Sequence, residues 1–131
     1  MPFPVDIAMV KQTQAKLGVT FPLGFVARMA QSNGGVVVIE GEEWFLASFL
    51  DTSDTTRLKR TCNDIVLETE NAKKWPGFPP GGIAVASNGM GDLLVFLPDP
   101  IRAEQLQSTV FMWSHESGQV DRVVDDFVEL N

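Results

Sequence analysis

His115 is the one histidine in this chain, and so the one side chain whose ordinary pKa allows proton transfer near neutral pH. A single imidazole excludes any His-pair metal centre and any multi-histidine relay. His115-Glu116 opens like the zinc-protease pattern H-E-x-x-H, but no second histidine follows four residues on, so no metal is implied. A Ser-His-Asp set would have to be assembled from distant residues, because no G-x-S-x-G elbow presents a serine as nucleophile. A small hydrolase is left resting on His115 and Asp92, both near turns, and on nothing else.

The remaining motifs fail on their own chemistry. Gly89-Met90-Gly91-Asp92 has the paired glycines of a phosphate-cradling loop, but no third glycine and no Lys-Ser/Thr follow. The residues after it read as a strand, so Asn88-Gly89 is better explained as a hairpin turn that needs positive φ. Asp51-Thr52-Ser53-Asp54 is not a calcium loop, since Thr56 stands where the sixth-position glycine belongs and the terminal glutamate is missing. Glu42-Glu43 cannot flank one bond, because neighbours on a strand point to opposite faces.

What is left is charge. Seventeen Asp and Glu against ten Lys and Arg give a formal charge of −7. Nucleic acid and anionic lipid both require basic groups, so neither is an expected partner. Five of the ten cations fall between Arg57 and Lys74, but Asp64, Glu68 and Glu70 share that stretch and mix the signs into a solvated face. Acidic residues gather at one turn (Glu40, Glu42, Glu43) and near the C-terminus (Asp121, Asp125, Asp126, Glu129). Solubility alone accounts for any one of them. Together they suit attraction of a basic protein.

The elements that must hold these groups follow from periodicity. Asp6 reads as an N-cap before a helix with Ile7, Val10 and Leu17 on one side, ended by Gly18. Pro22 starts a second helix with Phe25, Val26, Met29 and Ala30 on one face, stopped by a left-handed cap at Asn33-Gly34-Gly35. Val36 to Ile39 and Trp44 to Leu50 read as a hairpin around Glu40-Gly41-Glu42. A long helix is expected from the caps at Asp51 to Asp54 as far as about Lys74. Its stripe of Leu58, Cys62, Ile65 and Ala72 places the lone Cys62 inward as a small apolar thiol. Trp75 to Gly82 is an ordered crossover docked by Trp75 and Phe78. Strands are expected at Ile83 to Ala86, Asp92 to Leu97, Thr109 to Ser114 and Val120 to Val124, then a short helix from Asp125 to Leu130. The order predicts one α+β domain, residues 1–131, with a mostly antiparallel twisted sheet packed against helices. No apolar run reaches the ~20 residues of a membrane span. No signal peptide is legible, and with a single cysteine the cytoplasm is the expected compartment.

Leu17-Gly18-Val19-Thr20-Phe21-Pro22, Asn33-Gly34-Gly35, Trp44-Phe45-Leu46, Asn88-Gly89-Met90-Gly91-Asp92 and Trp113-Ser114-His115-Glu116 occur in the order typical of the SUKH superfamily. The chain resembles that group over roughly residues 5–130, and Val123 to Leu130 with Phe127 looks like its C-terminal helix. The superfamily includes fungal Smi/Knr cell-wall assembly regulators and many small bacterial proteins. The resemblance implies an α+β fold, with Trp44, Gly91, Asp92, Trp113 and His115 as fold determinants. It brings no catalytic residue, cofactor or metal. It also implies that bacterial members act as immunity proteins against nuclease or deaminase toxins, and fungal members as regulators or scaffolds. Pro98, Pro100 and the Pro/Gly-rich Trp75 to Gly82 loop depart from the common pattern, at places where partner choice should vary.

The expectation is therefore a non-enzymatic protein-binding domain that neutralises a cognate toxin with a basic surface. The alternative is a regulatory scaffold without a toxin partner. Candidate contacts are Glu40, Glu42, Glu43, Asp121, Asp125 and Asp126, standing in for substrate phosphates while exposed aromatics anchor the interface.

Overall fold

The Asp6 carboxylate accepts the Ala8 N–H at 3.0 Å and starts the first helix where the cap pattern puts it. The structure is a computed structural model and describes residues 2–130. Helix α1 (Ile7–Leu17) ends at Gly18, whose φ of +70° is the left-handed turn that glycine adopts without strain. Its inward residues are Val10 and Thr13, while Ile7, expected inside, is exposed. Helix α2 (Leu23–Gln31) buries Phe25 and Met29.

Asn33 does not cap α2 in the left-handed conformation. That helix closes at Ser32, with Arg28 donating to the carbonyls of Ser32 and Gly34. Buried Asn33 instead binds both backbone groups of Phe49, donating from Nδ2 to the carbonyl at 2.8 Å and accepting the N–H on Oδ1 at 2.8 Å. An amide side chain thus replaces a neighbouring strand. For this reason the run expected to extend from Trp44 to Leu50 leaves the sheet after Leu46.

Six strands form one sheet: β1 (Val36–Ile39), β2 (Glu42–Leu46), β3 (Ile83–Ser87), β4 (Leu93–Phe96), β5 (Val110–Trp113) and β6 (Val120–Val124). They pair in sequence order, every pair antiparallel, which gives the expected α+β class. The central strands β3 and β4 are buried along almost their whole length, because both faces of the sheet are covered there.

The helix expected from Asp54 to Lys74 is two. Helix α3 (Thr55–Thr61) and helix α4 (Ile65–Ala72) are separated at Asp64, whose carboxylate caps α4 by accepting the Leu67 N–H at 3.1 Å. A tertiary tie fixes the break, since the Ile65 N–H donates to the Ser48 carbonyl at 2.9 Å. The break rotates the first half of the stripe. Thr61, Ile65, Thr69 and Ala72 face inward, whereas Leu58 and Cys62 are exposed. The thiol expected in the core lies at the surface.

Each face of the sheet has its own core. On one, α1, α2 and the C-terminal 3-10 turn (Phe127–Glu129) cover Val37, Leu46, Leu94 and Phe96. Phe25 sits in the middle, with ring centroids 5.2 Å from Phe96 and 4.9 Å from Phe127 in edge-on contact. Such pairs add about 0.5–1.5 kcal/mol each beyond the area they bury. On the other face, Ala72 of α4 and Phe78 of the crossover cover Ala84, Leu93, Val95 and Trp113.

Candidate functional site

Two places bring together side chains that the sequence marks out. The first is a corner where the β3–β4 turn meets the end of β5. Asp92 Oδ1 lies 2.9 Å from His115 Nδ1 and also accepts the His115 backbone N–H at 3.3 Å, while Asn88 Nδ2 donates to Oδ2 at 3.3 Å. The His115 side chain is the main cause holding the Asp92 carboxyl below the usual carboxylate range; partial burial opposes it, and the His115 and Asn88 N–H groups help. Gly91 has φ +100°, and a Cβ there would lie 2.8 Å from His115 Nδ1, so only glycine lets the ring approach. The Trp75 ring meets the imidazole edge-on at 5.6 Å. Trp113 packs against Phe78 at 5.3 Å and donates from Nε1 to the Gly77 carbonyl at 3.0 Å. The crossover loop is docked as expected. Among the described residues no hydroxyl or thiol hydrogen-bonds the imidazole, whose side-chain partner is Asp92.

The second place is a cleft of about 450 Å³ lined by residues of β1, β2, β4, β5, β6 and the β1–β2 turn. Strands β1 and β6 are opposite edges of the sheet, roughly 24 Å apart if it were flat. One cleft reaches both because the sheet curls. No helix contributes to the lining, so the cleft is the end of the concave face that α1 and α2 leave uncovered. Its floor is apolar: Ile39, Trp44, Leu94, Met112 and Val123. Its charged groups come from the two edges, Glu40 and Glu42 on one side and Asp121 with Arg122 on the other.

Backbone geometry places each carboxylate. Ile39 pairs with Glu42, leaving Glu40-Gly41 as a two-residue turn with φ +50° and +82°, the twist that matches a hairpin. Glu40 is the one non-glycine described with positive φ. Such a conformation costs a side chain about 1–2 kcal/mol. On the other edge Asp121 pairs with Met112, on the concave side, and is steadied by Gln119 Nε2 at 2.9 Å. Trp44 is 1% exposed, and its indole N–H is the one buried side-chain N or O among the described residues that has no hydrogen-bond partner.

A family model, that of the SMI1 / KNR4 family (SUKH-1), matches residues 4–130. The chain belongs to that family. No curated protein and no solved structure matches it. The SUKH superfamily resemblance in the sequence is thus confirmed over nearly the whole chain. Four of its five signature positions, Gly91, Asp92, Trp113 and His115, come together at the corner; the fifth, Trp44, stands in the cleft wall.

The six candidate contacts separate in this SUKH-1 fold. Glu40, Glu42 and Asp121 share the cleft. Glu43 pairs with Val38 and is exposed on the other face of its strand, one residue out of phase with Glu42 and Trp44. Asp125 holds Arg122 at 2.7 Å. Asp126 caps the C-terminal turn, accepting the Val128 N–H at 3.1 Å while Glu129 Oε2 accepts the Asp126 N–H. Of the exposed aromatics, neither Phe45 nor Trp75 lines the cleft. Sequence reasoning missed Trp44 as part of a site. A buried tryptophan reads as core, and its missing acceptor has no sequence signature. The strain at Glu40 was missed as well, because the turn read as Glu40-Gly41-Glu42 and only the pairing of Ile39 with Glu42 shortens it to two residues that need positive φ.

Proposed function

We propose that this SUKH-1 domain is a non-enzymatic binding protein of the immunity type, which neutralises a toxin with a basic surface by covering it. The single observation that carries the reading is the convergence of Glu40, Glu42 and Asp121, from opposite edges of the sheet, on one apolar-floored cleft. The formal charge of −7 adds long-range attraction for a cationic partner and speeds encounter. The floor of the cleft serves as the apolar anchor, in place of the exposed aromatics expected from the sequence.

The direct test is co-expression with a toxin encoded beside its gene. Survival of the cells and a stable complex on a sizing column support the reading. Killing, with the two proteins eluting separately, overturns it. A gene neighbourhood with no toxin, in cells that lose cell-wall integrity when the protein is deleted, would instead favour the regulatory scaffold.

A further inference from the structure

We propose that the cleft receives one arginine or lysine side chain of a protein partner, seated beside Trp44 in the cleft wall. This rests on the reading above that the domain binds a basic protein, and it names the place and the chemistry.

Two features of the cleft select this occupant. Its charge is carried around a cavity rather than at a point: among the described residues no three His, Cys, Asp or Glu converge closely enough to hold a metal ion. A polyatomic cation is therefore a better match than a bare ion. Leu94, Met112 and Val123 give an apolar floor that suits the methylene stem of a long cationic side chain, whose charged end then meets Glu40, Glu42 and Asp121 at the rim. Trp44 forms part of the wall, and its buried indole N–H, which no acceptor in the fold holds, is a reporter for a side chain entering beside it. Arg122 also lines the cleft, and Asp125 holds its guanidinium at 2.7 Å, which leaves Glu40, Glu42 and Asp121 as an excess of negative charge over one paired cation.

The chain has three tryptophans, so a 15N-labelled sample gives three indole N–H resonances. Trp44→Phe assigns the one of interest. The probes are capped five-residue peptides, Ala-Ala-Arg-Ala-Ala, its lysine counterpart and its citrulline counterpart, which keeps the shape of arginine without the charge. The expected result is a saturable shift of the Trp44 indole resonance with the arginine and lysine peptides, while the Trp113 indole stays fixed on Gly77. Citrulline should bind at least about tenfold more weakly, and the Glu40→Gln, Glu42→Gln, Asp121→Asn triple variant should weaken the arginine peptide to a similar degree. An unchanged Trp113 resonance in that variant shows that it is folded.

Equal binding of citrulline, a Trp44 resonance that does not move, no saturation with any peptide, or the same shift produced by calcium chloride alone each overturns the assignment. The two proposals fail separately. Toxin protection that survives the triple variant, with peptides that do not bind, removes the cleft and leaves the neutralising role. Peptides that bind as described, in a protein that protects no cell, remove the role and leave the cleft.

Discussion

Trp113 and Trp44 are 0% and 1% exposed, yet their polar ends have opposite fates. At the corner, the Trp113 N–H has the Gly77 carbonyl, and Asp92 bonds the ring and backbone of His115 and the amide of Asn88. Polar groups there are matched within the molecule, which fixes loops that lack repetitive structure. At the cleft, the Trp44 N–H has no partner, three carboxylates face solvent over an apolar floor, and Glu40 keeps a conformation better suited to glycine or asparagine. A fold optimised for itself alone would remove each of these. The contrast separates a corner that holds the fold from a surface whose unsatisfied groups are complementary to something else.

The largest expected effect opposes two glycines, both with positive φ. Gly91→Ala should cost about 3 kcal/mol, because the methyl would meet three atoms of the His115 ring at 2.8–3.0 Å as well as adding backbone strain. Gly41→Ala, at the cleft turn with nothing within 4 Å, should cost only about 1 kcal/mol. Equal losses in urea denaturation would break the contrast between the two regions. Next comes the tryptophan pair. Trp113→Phe leaves the Gly77 carbonyl without its donor, a penalty of about 1–3 kcal/mol beyond the lost volume, whereas Trp44→Phe deletes a donor that had no partner. Chemical denaturation should find Trp113→Phe the more damaging by at least about 1 kcal/mol.

Glu40→Asn should raise stability by roughly 0.5–1 kcal/mol, since asparagine tolerates the left-handed region, while weakening the arginine peptide. A variant that gains both stability and affinity would remove Glu40 from the site. The smallest effect is in acid. The native Asp92 carboxyl is held below its ordinary pKa, chiefly by the His115 side chain, so its contribution to stability is present above the unfolded pKa and lost as pH falls through the native one. Asp92→Asn should therefore flatten the fall in melting temperature below about pH 4 and leave the rest of the profile parallel to the parent. A parent-like acid limb in that variant would show that the corner is not held by this carboxylate.

Much of the architecture was readable from local pattern. The Asp6 cap, the Gly18 stop, the β-branched run of β1 with the turn after it, and the uninterrupted apolar runs of β3 and β4 each state their structure over a few residues. The failures share one cause. Asn33 was read as a local cap, but its partner Phe49 is sixteen positions away. The α3–α4 break depends on Ser48 bonding Ile65, a contact that no helical periodicity encodes, and the exposure of Cys62 follows from that break. The site was half legible, because composition and clustering pointed to six acidic residues but could not say which of them share a surface.

The sequence by itself determined the class of fold, the family, the acidic character and the scarcity of side chains able to do catalysis, since each is written in residue types and short spacings. Tertiary structure decided the rest. Curling the sheet brought Glu40 and Glu42 within one cleft of Asp121, alternation along β2 turned Glu43 away, and capping engaged Asp126. Such groupings depend on how strands far apart in the chain approach one another. That approach is set by the packing of the whole core rather than by any segment of it.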